Sequence, residues 1–242
     1  SESEPLQGSF FKEQALLLAE ELSITVLIGQ PMLFGKKKLL QYLFHGSRKI
    51  NIQENYVNNL KSYTEFYFEY PALCALPVST NIKTAVKYYK KALKQLDNSF
   101  DLIHAQSNIM AGIIASKLLI NHKKLLITEH LPLNISNFNY KLNDEYWKAL
   151  KSVSQISTVS EYLKRTIVKN LPESNPVVHG NMVDENFFTL KPKHKTQEIL
   201  KLGWIGNHYY DKDPKTFLKA LKIVADRNIQ FKATMVFSTR SG

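Results

Sequence analysis

Helical and extended periodicities alternate along the chain. Between residues 8 and 22, Phe11, Ala15, Leu18 and Leu22 recur on one helical face, with Lys12, Glu13, Glu20 and Glu21 elsewhere. Apolar positions three and four apart are what a helix needs to bury one stripe. SITVLI (residues 23–28) reads as a buried strand. A second stripe, Ile82, Val86, Tyr89, Leu93 and Leu96, runs through TNIKTAVKYYKKALKQL, whose other side carries Lys83, Lys87, Lys90, Lys91 and Lys94. FDLIHA (100–105) reads as a strand, NIMAGIIASKLLI (108–120) as a largely buried helix capped by Ser107 or Asn108, and KLLITE (124–129) as the next strand.

The alternation continues. QISTV (155–159) is a strand that runs into SEYLKRTIVKNL, a helix capped by Ser160, and NPVVHG supplies one more short strand. TLKPKHKTQ (189–197) is polar, basic and proline-bearing, which suits a linker. EILKLGWIG starts a fresh strand, Asp213-Pro214 opens a helix through Asp226, and FKATMVF is the strand after it. Strand, helix, strand at this spacing predicts an α/β fold with a doubly wound parallel sheet, because parallel neighbours need crossovers. The expected division is a first domain over residues 1–190, then a linker and the start of a second α/β domain over 191–242. The Gly8 turn opens a helix with no strand before it, and the second domain holds about two strands and a helix before Gly242. The expectation is a piece of a longer protein, lacking a first strand and most of its second domain.

Composition narrows the classes. Hydrophobic residues at 44% and charged residues at 22% are ordinary for a folded globular chain. No apolar window reaches about 18 residues, and SESEPLQGSF is no signal peptide, so a cytoplasmic location is the default expectation. The lone Cys74, in PALCALP, excludes an internal disulfide and reads as a buried core residue. A net charge of +11, from 32 basic and 21 acidic residues, favours polyanionic partners. GKKKLLQYLFHGSRK (35–49) would make a basic amphipathic helix suited to an anionic bilayer, with the lysine face of residues 83–94 extending it. The plain alternative is a surface helix that packs Leu39 and Leu43 inward.

Several short stretches carry candidate chemistry. Glu129 and His130 end the strand KLLITEH; His104 closes the strand before it, with Gln106 just beyond. Ligands of open parallel sheets sit past the carboxyl ends of the strands, so adjacent strands would open both imidazoles onto one crevice. One histidine at a strand end is ordinarily structural, whereas two at equivalent ends point to a site. No metal-ligand set accompanies them. In QGSFFKEQ, Gly8 opens a helix whose free N–H groups could receive a phosphate, or it is a plain helix start. In LGWIGNHYYDKDPK, Lys212 precedes the Asp213 cap, where charge and backbone donors could bind a diphosphate. A solvated lysine is the alternative there. NPVVHGNMVDENFF reads as a turn at Gly180-Asn181 pinned by Phe187-Phe188.

The order of GSFFKEQALLLAEEL, DLIHAQSNIMAG, LLITEHLP, STVSEYLKRTI, VHGNMVDENFF and GWIGNHYYDKDPKTFLKAL resembles retaining glycosyltransferases of the GT-B fold, family 4. The resemblance implies two Rossmann-like domains with a nucleotide-sugar between them and the acceptor held mainly by the first. It implies that Gly8 approaches the donor diphosphate, that Lys212 grips the donor phosphates, and that His130 lies beside the transferred sugar. His104 and Gln106 match a pair that is often His-x-His, and with Glu129 they would face the acceptor. Asn181 and Asp184 resemble an Asn-Gly-Val-Asp turn, with Met182 replacing the glycine. Asn207 stands where the family usually carries a phosphate-binding arginine. Transfer with retention, no metal, a nucleotide-sugar co-substrate and a glycan or lipid-linked acceptor follow from the same resemblance. The two basic faces add the expectation that such a cytoplasmic enzyme is peripheral on the inner face of the membrane. The two-glutamate motif for the donor sugar would lie beyond Gly242, so the piece alone is expected to be inactive. A non-catalytic module that binds an anionic lipid or acidic polysaccharide is the competing class. No nucleic-acid-binding motif is present.

Overall fold

KLLITE forms the strand its composition predicts, and it takes an interior position in a parallel sheet. A computed structural model of the chain describes residues 9–33, 53–57, 60–69, 78–96, 100–118, 124–130, 140–186, 188–189, 199–206 and 212–237. The chain divides into two compact units, Ser1–Glu185 and Asn186–Gly242. The segment at 35–49 and Cys74 lie outside the described residues.

The first unit opens with α1 (Ser9–Leu18), β1 (Thr25–Leu33), β2 (Gln53–Val57) and β3 (Leu60–Glu69). β1 pairs with β3 in parallel and β2 with β3 antiparallel, giving a separate three-stranded sheet. β3, LKSYTEFYFE, is rich in aromatic residues that favour a pleated surface, although periodicity alone predicted no element there. The lysine-bearing helix is α2 (Val78–Gln95). β4 (Leu102–Gln106), β5 (Lys124–Glu129), β6 (Gln155–Thr158) and β7 (Val177–Val178) then form a four-stranded sheet in sequence order, every pair parallel. α3 (Ile113–Leu118), α4 (Tyr140–Lys151) and α5 (Glu161–Asn170) connect them.

Both faces of β5 and β6 are covered, as expected for a sheet flanked by crossover helices. Leu125, Ile127, Thr128 and Glu129 on β5 and Ile156, Ser157 and Thr158 on β6 are all buried. Ile113, Ile127, Tyr146, Leu150, Ile156 and Ile167 form one contiguous core. Burying each large apolar side chain contributes about 1.5–3 kcal/mol. The fold class is α/β with a Rossmann-like parallel sheet. α5 starts as its sequence predicts, with Ser160 Oγ accepting from the Leu163 N–H. α4 is an element that periodicity had passed over, although Leu142, Tyr146, Ala149 and Leu150 follow a helical stripe.

The helix predicted over 108–120 departs from expectation. Among its described residues, only 113–118 are regular, and the turn before them has positive φ at Ser107 (69°) and Met110 (64°). Ser107 does not cap the helix: its hydroxyl donates to Glu129, as does the Asn108 backbone N–H. Side-chain partners that outbid a helical start force an irregular turn.

The second unit has β8 (Leu200–Gly206) parallel to β9 (Phe231–Phe237), joined through α6 (Pro214–Asp226). Asp213 caps α6 by accepting from the Thr216 N–H, and Pro214 fills the first turn.

Candidate functional site

Side chains alternate across a strand, so residues two apart share a face. His104 and Gln106 therefore stand on one face of β4. The register puts His104 opposite Leu126 and Gln106 opposite Thr128. Each of these two side chains reaches diagonally to the residue two positions beyond its partner. His104 Nε2 is 2.7 Å from Thr128 Oγ1, and His130 Nε2 is 2.8 Å from Gln106 Oε1. His104 lies within the strand and Gln106 is its last residue, one position later than the sequence pattern suggested. The amide of Gln106 links three elements, because its Nε2 also donates to Gln14 Oε1 on α1 at 2.6 Å.

The Gln106 oxygen accepts, so Nε2 of His130 is the donor and Nδ1 carries the lone pair of the neutral ring. Nδ1 is enclosed and makes no hydrogen bond of ordinary geometry among the described residues. Phe10 and Phe11 flank the ring at centroid distances of 5.0 and 4.9 Å, the second edge-on. Burial and then the charges of His179 and His130 push His104 down to about 4. Burial also lowers His130, with a smaller contribution from His179, while the Glu129 carboxylate and the Asn181 side chain oppose the shift. Both rings are thus neutral near pH 7. Such a crevice offers N–H groups, amides and aromatic rings, a combination suited to hydroxyl-bearing ligands.

Glu129 lies on the opposite face. It is fully buried, and its oxygens accept from Ser107 Oγ (3.2 Å), the His130 N–H (2.9 Å), the Asn108 N–H (3.2 Å) and the Tyr146 hydroxyl (2.9 Å). Burial and the neighbouring carboxylate raise the pKa of Tyr146, so its hydroxyl stays protonated and donates.

The structure thus brings His104, Gln106 and His130 together at the carboxyl end of two adjacent strands, with Glu129 behind them. In the second unit, Lys212 is exposed, immediately before the α6 cap. Gly206 closes β8 beside it: a Cβ there would stand 3.4 Å from the Lys212 Cβ and 2.8 Å from the Trp204 ring. The Thr216 hydroxyl and N–H hold the Asp213 carboxyl below its ordinary pKa. Asn181 and Asp184 are exposed after β7. Gly8 and Asn207 lie outside the described residues. Among the described residues, no three His, Cys, Asp or Glu side chains are grouped to hold a metal ion. No helix there is long and apolar enough to cross a membrane.

Sequence reasoning missed Gln14, Thr128, Tyr146 and His179. Gln14 had a signal: it falls three residues after Phe11, beside the apolar face of α1, and a polar residue buried there needs a partner. Tyr146 had none, because α4 itself was not predicted.

The profile of Glycosyltransferase Family 4 matches residues 60–187, more than half of the chain. No curated protein matches it. Among solved structures, it is similar to the UDP-GlcNAc 2-epimerase from Methanocaldococcus jannaschii, at 12% identity and a TM-score of 0.40. That match covers 90% of this chain and 66% of the epimerase chain, so this chain spans just under two thirds of its length.

Proposed function

The chain belongs to Glycosyltransferase Family 4, and from that premise we propose that the protein transfers a sugar, with retention, from a nucleotide-sugar to a glycan or lipid-linked acceptor. The supporting observation is the hydrogen-bonded Gln106–His130 pair at the carboxyl ends of adjacent parallel strands, inside the matched segment. In this reading His130 presents a neutral ring to the transferred sugar. Its orientation is set by Gln106 and by the two phenylalanines, which costs no reorganisation during the reaction. His104 and Gln106 belong to the acceptor side; Glu129, expected beside them, is instead buried on the other face of β5 among core donors and meets no ligand. The resemblance assigns Lys212, Asn207 and Gly8 to the donor diphosphate, whose departing oxygen positive charge and backbone donors would stabilise.

The bond from the anomeric carbon to the diphosphate oxygen breaks, and a bond to the acceptor oxygen forms on the same face. The acceptor proton leaves with the departing diphosphate. This reading requires no metal. Incubating the full-length protein with a panel of nucleotide-sugars and candidate acceptors tests it: acceptor-dependent release of nucleoside diphosphate is expected, and His130→Ala should reduce it at least about a hundredfold. Binding of anionic lipid or acidic polysaccharide without any release would instead establish a non-catalytic module.

A lipid-linked acceptor fits the face of α2, where Lys83, Lys87, Lys90, Lys91 and Lys94 are all exposed. Such a row would favour an anionic bilayer by about 1 kcal/mol per lysine near the surface. Peripheral attachment to the cytoplasmic face of a membrane is therefore part of the proposal.

A further inference from the structure

We propose that Glu129 is a positioning residue: a buried carboxylate that ties the strained turn at residues 107–110 and the backbone of His130 to each other, anchored in the core by Tyr146. The inference rests on reading His130 as the imidazole of the transfer site.

Three observations carry it. First, adjacent residues of a strand point to opposite faces, so Glu129 cannot share the crevice with His130. Its side chain instead enters the core beside Tyr146 and Asn108, two other residues that are essentially inaccessible. Second, donors reach both of its oxygens. Oε1 accepts from Ser107 Oγ and the His130 N–H; Oε2 accepts from the Asn108 N–H and the Tyr146 hydroxyl. Two donors on each oxygen fill the acceptor capacity of a carboxylate, which leaves none for a ligand.

Third, the turn needs a restraint. Positive φ at Ser107 and Met110, neither of them glycine, costs about 1–3 kcal/mol each and persists only where surrounding structure over-determines it. Glu129 takes the two donors that begin this turn, and the Ser107 N–H donates to the Thr128 carbonyl at 2.7 Å. Asn108 completes the tie by donating its side-chain amide to the Tyr146 carbonyl at 2.9 Å. One carboxylate therefore sets where β4 ends, how the following turn folds and where the His130 backbone stands. Gln106 directs the ring, and Glu129 fixes the backbone that carries it.

The test is Glu129→Gln in the full-length protein, with Tyr146→Phe as the milder companion, because a buried amide facing four donors could prevent folding. Turnover is read as kcat and acceptor KM separately. Histidine ring titrations and amide resonances are followed by NMR. Positioning predicts that Glu129→Gln lowers kcat at least tenfold, with acceptor KM changed less than twofold. It also predicts displaced His130 and Asn108 amide signals and a His130 ring that titrates at lower pH, since a charge favouring the imidazolium is gone. Tyr146→Phe should displace the same amides to a smaller extent. A raised acceptor KM with kcat intact would overturn the proposal in favour of direct contact. Unmoved His130 and Asn108 signals in either folded variant would overturn it outright. The NMR readout needs no turnover, so a protein that transfers no sugar refutes the functional reading while these signals still judge the tie.

Discussion

Gln106 holds the ring of His130 across the gap between two parallel strands, its side-chain oxygen 2.8 Å from Nε2, while its nitrogen donates to Gln14 on the first helix. One amide thus couples β4, β5 and α1 at the place where the sheet opens.

Replacing that amide separates the three elements. Gln106→Leu leaves the His130 N–H and the buried Gln14 amide without their partner, a loss of about 1–3 kcal/mol. The expected outcome is a lower urea midpoint together with a kcat/KM reduced about 10–100-fold, read from initial rates of the full-length protein.

His104 makes stability depend on pH. The folded ring binds a proton only near pH 4, while the unfolded one does so near 6.5, so between these values the unfolded chain holds more protons. Stability is full above the upper value and is lost as pH falls toward the lower one, by up to about 3 kcal/mol. Urea denaturation at half-unit pH steps should show this decline, and His104→Gln should flatten it.

Gly112 is required by its neighbours. A Cβ at this position would stand 2.8 Å from Ile127 Cδ1 and would also press on the Asn108 side-chain oxygen. Gly112→Ala is expected to destabilise the fold by about 1–3 kcal/mol. A gain of about 1 kcal/mol, as intrinsic helix propensity alone would give, is the opposite outcome in the same denaturation experiment.

The lysine face of α2 gives a prediction about surfaces. Reversing Lys87 and Lys91, one turn apart and both exposed, to glutamate should weaken sedimentation with anionic vesicles at low salt by at least about tenfold. Binding to neutral vesicles should not change, and added salt should erase the difference.

Much of this architecture was legible in the chain because periodicity reports burial. KLLITE, QIST and FKATMVF lie where apolar runs predicted strands, and Ser160 and Asp213 begin helices as capping chemistry requires. That the two imidazoles stand near the carboxyl ends of adjacent strands was legible for the same reason, because the strands that carry them are apolar runs. What escaped depends on tertiary partners. Ser107 looked like a helix cap, yet its hydroxyl serves a carboxylate 22 residues away. Glu129 looked like a neighbour of His130 in the crevice, but the pleat turns it into the core, where its hydroxyl partner comes from a helix with no predicted counterpart. Gly8 and Asn207, assigned to the donor by resemblance, lie outside the described residues.

The back-to-back arrangement of Glu129 and His130 also limits how this chain can diverge. Inserting or deleting one residue in β5 would exchange them, exposing the acid and sending the imidazole among aliphatic neighbours. Length variation is therefore barred from this strand, and relatives that favour other ligands should differ in the loops beyond it or by point substitution along its rim.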